Sequence, residues 1–492
     1  MLPLGSAFDE SYPRPPGIIT DRWPPLQVEY LRVYLEEIGC KTVVIEQHYI
    51  DRVFMHDNAV FYARNLRSYP NFTSRLHFFA DEFNQDAWRA MITRAANGAH
   101  ADIQGSLQRN YRGFSVVRPI PGAPMGRTVL PAKVTRAPTE STSVFPPVRR
   151  HFAHLAGFTL VIEGVQFQQQ DHAVSACATT ALWSAFDSVA SLEELPAASP
   201  ASIAEAATRY PLQEGRAFPT EGLTVRQICE ATRAAGFSPI VVTGKRPEDD
   251  FIQILGYLSS GFSPVLVLMP ADDPDAASGH AVCAVGIRRG EVKPQTNPNY
   301  KFREESTSLL GVYLHDDRLG PYAFAQLSSF TDKKGAIRTG VSIEWPDKTP
   351  DQYWLLHALV VPIPQKLRLS LTRIYSRIGL IVAHAIGDAF GEPTTTLNSR
   401  YELAREYSRR AYAFGLSEDG MYALACQTPL SRFLGVIEVR TAVGPIIDVL
   451  LDTTEADAEP AVLACVKRES MPAMGTAVLN AIAKNIGGQP IC

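Results

Sequence analysis

The chain has 492 residues, of which 46% are apolar and 20% are charged, as in an ordinary globular protein. At roughly 150 residues per domain, this length predicts about three domains. The formal net charge of −4 argues against nucleic acid as a partner, because phosphate binding needs a basic surface. Seven widely spaced cysteines without a CxxC pair favour a reducing compartment over a disulfide framework.

The first ten residues and the apolar runs predict a cytoplasmic protein. The N-terminus lacks the basic and apolar regions of a signal peptide. The longest apolar run worth testing, near residues 378–390, is too short to cross a bilayer, and Arg373 and Arg377 precede it closely. We therefore expect no membrane association.

Residues 1–150 predict an N-terminal domain of mixed helices and strands. An amphipathic helix follows Pro25, residues 41–46 favour a strand, and residues 86–96 favour a second helix. Seven prolines between Pro119 and Pro147 then indicate an extended connection, since proline interrupts regular elements. The place of this N-terminal domain before the central domain suggests that it has a regulatory, inhibitory or substrate-binding role.

Residues 151–330 predict the central domain. A helix from Cys177 to about Ser188 is apolar on nearly every face, which is typical of a buried helix. Two further helices, at residues 223–236 and 251–260, precede the sheet strands. Helices followed by a run of strands favour an α+β fold over a doubly wound sheet. The strand-like runs follow at residues 264–268, 281–287 and 309–314.

Residues 331–492 predict a C-terminal domain of mixed helices and strands whose role the sequence leaves open. Its predicted helices cover residues 367–390 and 399–414. Its predicted strands cover residues 354–361, 434–443 and 446–451.

Three residues from distant parts of the chain predict a nucleophilic cysteine site. Cys177 lies at a helix start, where unpaired N–H groups and the helix dipole favour a thiolate. His280 begins a strand and can serve as the base, and Asp316 ends the next strand and can orient the imidazole. Asp317 is the adjacent alternative, and strand alternation predicts that only one of the two carboxylates reaches His280.

The oxyanion of an acyl-transfer intermediate also needs hydrogen-bond donors. The backbone N–H of Cys177 is one donor. Gln168, Gln169 and Gln170 each offer a side-chain amide upstream of it, and we choose Gln170 because it is closest to the required reach.

Residues 155–330 resemble the papain-like cysteine peptidase superfamily, and most of all its bacterial branch of bacteriocin-processing (double-glycine) peptidases. The resemblance rests on Gln170 before Cys177, on the helix at residues 224–236, on the run Ser278-Gly279-His280-Ala281-Val282, and on His315-Asp316-Asp317 before Gly320-Pro321-Tyr322. It implies a nucleophile at Cys177, a base at His280, an orienting Asp316 and an oxyanion donor at Gln170. The implied fold is α+β, with a papain-like core (a central buried helix packed on an antiparallel sheet) flanked by mixed N- and C-terminal domains.

The chain also departs from the family pattern. Ala178 follows the nucleophile where a glycine or other small residue is usual. The family glutamine lies six residues before the cysteine, a place that Asp171 occupies here, whereas Gln170 lies seven before. The long polar insertion at residues 288–308 predicts a hairpin over the site.

The remaining candidate residues favour structural roles, and we expect neither cofactor nor metal. His151 and His154 have metal-like spacing but no third ligand nearby in the sequence. Cys283 lies in the strand of His280 and is expected to pack in the core.

Three functions fit these residues. The first is a thiol hydrolase that cleaves a peptide or isopeptide bond of a protein or peptide substrate through an acyl-enzyme. The second is an acyltransferase, in which an amine or thiol replaces water. The third is a catalytically inactive papain-like module that binds a protein partner through the flanking domains.

Overall fold

The structure is a computed structural model. Pro121, Pro138, Pro146 and Pro147 of the predicted connection, His172, and Ser278 of the His280 motif lie outside the described residues. The described residues are 2–3, 25–120, 122–133, 141–145, 149–171, 173–174, 176–193, 198–209, 222–244, 246–274, 276, 279–293, 303–345, 350–382, 384–385, 395–441, 443–454, 461–471 and 475–492.

The N-terminal part forms a five-stranded antiparallel sheet whose strands lie in chain order. The strand predicted at residues 41–46 corresponds to Thr42–Tyr49, and the helix predicted at residues 86–96 corresponds to Gln85–Arg94. The strands are β1 (Leu2–Pro3), β2 (Thr42–Tyr49), β3 (Thr73–Phe79), β4 (Tyr111–Val117) and β5 (Met125–Val129). The helices are α1 (Leu26–Glu37), α2 (Arg52–Val60), α3 (Gln85–Arg94) and α4 (His100–Asn110).

The predicted boundary at residue 150 does not separate two cores. Strands β7 (Arg150–Leu155) and β8 (Phe158–Glu163) form a hairpin. Alternate residues of the hairpin are buried, and these residues share a hydrophobic cluster with strands of the N-terminal sheet. The hairpin cannot bury its apolar face alone, so it packs on the preceding domain.

The central sheet is a closed antiparallel barrel of six strands, because its first strand also pairs with its last. Two short additions, β6 (Thr142–Val144) and β9 (Phe237–Thr243), pair with barrel strands. The predicted boundary at residue 330 is wrong, since it falls inside this barrel and closure needs the two strands that follow. The barrel strands are β10 (Val265–Pro270), β11 (His280–Arg289), β13 (Leu309–Asp316), β14 (Gly320–Thr331), β15 (Ile337–Glu344) and β16 (Pro350–Pro364).

Helix α5 (Cys177–Glu193) packs on the outside of this barrel. Alternate residues of β11 divide between two cores: Ala281, Cys283 and Val285 join α5, whereas Val282 and Ala284 join the barrel interior. The α+β class is therefore confirmed. Three more helices lie in this part, namely α6 (Pro200–Thr208), α7 (Val225–Ala234) and α8 (Pro247–Ser259).

The C-terminal part is a six-stranded sheet in the order β12-β17-β18-β19-β20-β21. Strand β12 (Arg303–Glu304) comes from the polar insertion of the central domain and pairs in parallel with β17. The other strands are β17 (Thr396–Leu403), β18 (Phe433–Thr441), β19 (Gly444–Asp452), β20 (Val462–Lys467) and β21 (Gln489–Ile491). Its helices are α9 (Leu371–Arg373), α10 (Ala404–Ala411), α11 (Glu418–Tyr422) and α12 (Gly475–Ile486).

Three predictions in this region are wrong or only partly confirmed. The insertion leaves β11 at Arg289, the strand end opposite His280, and its residues Arg303–Glu304 join the C-terminal sheet, so its described residues do not cover the site. The predicted helix at residues 399–414 begins as strand β17 and turns helical only at Ala404. The predicted helix at residues 367–390 starts at Leu371 and includes a π-helical turn, Ile374–Gly379, and residues 386–390 are outside the described range.

Within the described ranges, every helix is too short or too polar to cross a membrane.

Candidate functional site

Cys177 is the first residue of helix α5. The backbone N–H of Thr180 donates to the carbonyl of Ala176 at 3.0 Å, so the helical hydrogen bonds begin directly before the cysteine. The Cys177 side chain is partly exposed, whereas the three residues after it are buried. The thiol therefore lies at the positive end of the helix dipole with access to solvent.

His280 is the first residue of β11, and the close packing of its neighbour Gly279 fixes the backbone there. A Cβ atom on Gly279 would lie 2.4 Å from the carbonyl oxygen of Leu268, so no other residue fits without a backbone shift. Leu268 is also the pairing partner of His280 in the sheet. The imidazole, only 5% exposed, is thus held by strand pairing.

Asp316 is the last residue of β13, the antiparallel neighbour of β11. The end of one antiparallel strand lies beside the start of the other, which brings residues 36 positions apart into contact. The Nε2 atom of His280 lies 3.0 Å from Oδ1 of Asp316. The same oxygen accepts a hydrogen bond from the backbone N–H of Arg318 at 2.9 Å. The carboxylate is thereby fixed from two sides.

The electrostatics favour a charged imidazole. Burial lowers the pKa of His280, but the charge of Asp316 and hydrogen bonds to Asp316 and Cys177 overcome this and raise the pKa to about 10. The site thus holds a charged imidazole that a carboxylate orients through Nε2.

Asp317 also approaches His280, contrary to the prediction that only one carboxylate can reach it. Its Oδ1 atom lies 3.9 Å from Nε2. Strand alternation does not apply, because β13 ends at Asp316 and Asp317 belongs to the following turn. The two carboxylates differ in charge state. Burial opposes ionisation of Asp316 but His280 holds its pKa well below the ordinary value, whereas burial raises the pKa of Asp317 to about 7.

Sequence reasoning missed Arg318 and Trp354. The guanidinium of Arg318 lies 5.1 Å from the indole ring centre of Trp354, and the imidazole ring of His280 lies 5.7 Å from it. Arg318 could have been predicted as a site residue, because it directly follows the two aspartates in the sequence. Nothing in the sequence near Trp354 indicates a place at the site, because only barrel closure through β16 brings it there.

This cluster also has the ligand types of a metal site. The ligand atoms of His280, Asp316 and Asp317 lie within 4.8 Å of one another, which is close enough to share a cation. However, Nε of Arg318 lies 3.2 Å from Nε2 of His280, and its Nη2 atom lies 3.6 Å from Oδ2 of Asp316. The guanidinium therefore supplies the positive charge that a metal would bring, and the residues do not favour a metal centre.

The three upstream glutamines differ in what their amides contact. Gln169 accepts from the backbone N–H of Met125 at 3.2 Å and donates to the carbonyl of Gly122 at 3.2 Å. Gln168 is 2% exposed and also has a partner. Gln170 is partly exposed, and the hydrogen bonds of the described residues include none from its side chain. Of the three amides, that of Gln170 is therefore free to meet a substrate.

The residues set aside as structural have structural contacts. His151 is buried and its Nε2 atom lies 3.0 Å from Oδ2 of Asp187 on α5, whereas His154 is exposed. Because they are three apart on β7, the two histidines lie on opposite faces and cannot share a metal. Cys283 is fully buried.

Comparison of this chain with protein-family models, curated proteins and solved structures finds no significant match.

Proposed function

We propose that this chain is a cysteine peptidase-like thiol hydrolase that cleaves a peptide or isopeptide bond. One arrangement carries the proposal: Cys177 starts a buried helix and helps to raise the pKa of His280, whose Nε2 atom lies 3.0 Å from Oδ1 of Asp316. The three residues come from distant parts of the chain. An isolated core cysteine would need neither an imidazole nor a carboxylate behind it.

The surrounding architecture supports a papain-like core. The family resemblance implies a central buried helix against an antiparallel sheet, with the nucleophile at the helix start. Helix α5 packs against β11, the strand that begins with His280, and the barrel to which β11 belongs is antiparallel throughout. A fold of this kind delivers the thiol and the imidazole from separate elements to one cleft.

The first half-reaction forms the acyl-enzyme. The thiolate of Cys177 attacks the carbonyl carbon, forming a C–S bond and an oxyanion. The backbone N–H of Cys177 and the amide of Gln170 would stabilise this oxyanion. The intermediate collapses as the C–N bond breaks, and the His280 imidazolium transfers its proton to the leaving amine.

The second half-reaction regenerates the enzyme. Neutral His280 removes a proton from a water molecule, whose oxygen attacks the thioester carbon. The C–S bond then breaks, the acid leaves, and the thiolate and imidazolium are restored. Asp316 holds the imidazole in one orientation throughout and stabilises its charged form. An amine in place of this water would give acyl transfer through the same intermediate.

Cysteine alkylation tests the site without a known substrate. Cys492 is a matched control, because it is partly exposed like Cys177. Near pH 6 we expect iodoacetamide to modify Cys177 at least about tenfold faster than Cys492, because only a thiolate reacts and the imidazolium maintains it. The advantage should disappear in His280→Ala. Equal rates for the two cysteines would favour a catalytically inactive binding module.

Substrate profiling tests the reaction itself. Intact protein and its Cys177→Ala variant are incubated with a complex peptide mixture, and new termini are counted by mass spectrometry. We expect termini that depend on Cys177. Addition of a primary amine then separates two outcomes, since a hydrolase continues to release free acids and an acyltransferase forms amides.

A further inference from the structure

The segment leading to Cys177 is bound to the N-terminal sheet. Phe167 forms a two-way backbone bridge with Thr128 on β5, with N···O distances of 2.8 and 2.9 Å. Two residues later, the backbone N–H of Gln169 donates to the carbonyl of Met125 at 3.1 Å. The beginning of this nucleophile loop, whose described residues are 167–171, 173–174 and 176, is therefore bound to the preceding domain.

Arg118, which directly follows β4, organises the next part of the loop. Its side chain is almost fully buried. Its Nη2 atom donates at 2.9 Å to the carbonyl of Gln169 and at 2.9 Å to that of Ala123, while its Nη1 atom lies 3.3 Å from Oδ2 of Asp171. One guanidinium thus binds a main-chain and a side-chain oxygen of the loop on either side of Gln170.

Asp171 passes this restraint towards the nucleophile. Its side chain is fully buried, and its Oδ1 atom accepts from the backbone N–H groups of Ala173 at 3.0 Å and Val174 at 2.8 Å. Arg118 therefore neutralises this carboxylate at Oδ2, while Oδ1 holds the turn before Cys177.

We propose that Arg118 is a positioning residue for the nucleophile, acting through Asp171 and the carbonyl of Gln169 on the placement of Gln170 and Cys177. This inference rests on the proposed function and extends it: the N-terminal sheet is part of the catalytic unit. It adds a positioning role for residues 1–150 to the regulatory, inhibitory or substrate-binding role that the sequence predicts. Asp171 occupies the family position of the glutamine, but here its carboxylate binds Arg118 and the turn before Cys177.

The test compares Arg118→Met with Arg75→Met in the full chain. Arg75 is a matched control, since it is a buried arginine of the same sheet, 5% exposed, which pairs with Glu46 at 2.8 Å and donates to Tyr49 at 3.0 Å. None of these partners belongs to the nucleophile loop. Both variants should lose stability, but only Arg118→Met should displace the loop.

For Arg118→Met we expect kcat to fall about 10²-fold with KM changed much less, because a displacement of about 1 Å at a reacting group costs on that order. Arg75→Met should keep kcat within about twofold at a temperature where both variants remain folded. Arg118→Lys should restore only part of the activity, since a single ammonium group cannot reproduce the fork that serves three oxygens.

Hydrogen exchange provides a readout that does not depend on catalysis. In Arg118→Met the peptide spanning residues 167–176 should exchange at least about tenfold faster, because the Ala173 and Val174 amides lose a fixed acceptor. Asp171→Asn, which keeps an acceptor oxygen but not the charge, should fall between wild type and Arg118→Met. Equal loop exchange or equal kcat in Arg118→Met and Arg75→Met would overturn the proposal. If the wild type cleaved nothing but Arg118→Met still showed faster loop exchange, the proposed function would be rejected and the restraint of the loop by Arg118 would stand.

Discussion

Two buried clusters of charged side chains, one in the C-terminal sheet and one at the candidate site, differ in the cations that contact their carboxylates. In the C-terminal sheet, Asp448 and Glu438 face each other on neighbouring strands. Arg468 lies 2.9 Å from Asp448 and 3.3 Å from Glu438. Further arginines meet these carboxylates or the nearby Glu402, namely Arg400, Arg410 and Arg440. Each of these three carboxylates therefore lies within ion-pair distance of at least two arginines.

The candidate site has as many cations as carboxylates, but one of its cations is a histidine. Two carboxylates, Asp316 and Asp317, share one imidazole and one guanidinium, and Oδ2 of Asp317 is buried without a hydrogen bond. The imidazole is titratable and its pKa responds to the partly exposed Cys177, whereas arginine is always charged and transfers no proton. The comparison indicates that a buried charge network whose cations are all arginines has a structural role. A network built around a histidine beside a nucleophile can transfer protons and support catalysis.

The strongest test of this comparison removes the sulfur. Cys177→Ala should lower turnover by more than about 10³-fold, because no other group can form the acyl-enzyme. The free energy of unfolding should change by less than about 1 kcal/mol, since the side chain is small and partly exposed. Turnover with peptide pools and urea unfolding measure the two effects. A fully active variant would remove the proposed site altogether.

The opposite result is expected from the C-terminal network. Arg468→Met leaves Asp448 and Glu438 short of a cation, and breaking a buried ion pair in this way costs about 3–5 kcal/mol. Alkylation of Cys177 should be unchanged where the protein is folded. Arg409→Met is the control, because that arginine is 76% exposed and should cost about 0.5 kcal/mol or less. Urea unfolding monitored by circular dichroism separates the variants, and equal stabilities would contradict a structural role for the network.

Asp316→Asn sharpens the comparison, since it keeps an acceptor oxygen beside His280 but removes the charge. We expect kcat to fall about 10- to 100-fold. The sign of the pH effect follows from the raised pKa of His280: without the carboxylate that pKa falls, so the imidazolium is lost at a lower pH. The basic limb of the pH profile of turnover, which reports loss of the imidazolium that protonates the leaving amine, should move to lower pH by at least about one unit. An unchanged limb would show that another group holds the proton.

The sequence predicted the parts of the site that depend on element ends. Cys177 precedes an apolar helix, His280 follows a glycine and starts an alternating run, and Asp316 ends another, so their places at a helix start and at two strand ends were readable. Antiparallel pairing of consecutive strands then brings such ends together. Predictions of this kind need only local pattern and the commonest sheet connection.

The sequence did not reveal what depends on closure and on contacts between domains. Trp354 reaches His280 because β16 closes the barrel, and Arg118 reaches Asp171 because the N-terminal sheet continues into the loop. Both arrangements pair segments far apart in the chain, and no local pattern encodes such pairing. The domain boundaries failed for the same reason, since a hairpin and a barrel strand have the same period-two pattern wherever they dock.

Asp317→Asn is expected to have the smallest effect and separates the roles of the two site carboxylates. Burial raises the pKa of Asp317 to about 7, above its unfolded value near 3.9, so the folded protein retains a proton that the unfolded chain releases. Its contribution to stability is fully present below about pH 4 and is lost as pH rises through about 7. Between pH 5 and pH 8, the free energy of unfolding of Asp317→Asn should therefore rise by at least about 1 kcal/mol relative to that of the wild type, as measured by urea unfolding. Asp419→Asn, at an exposed helix start, should show no such trend. If Asp317 were instead the ionised partner of His280, the variant would lose stability relative to wild type over the same range, and Asp316 would be the carboxylate that keeps its proton.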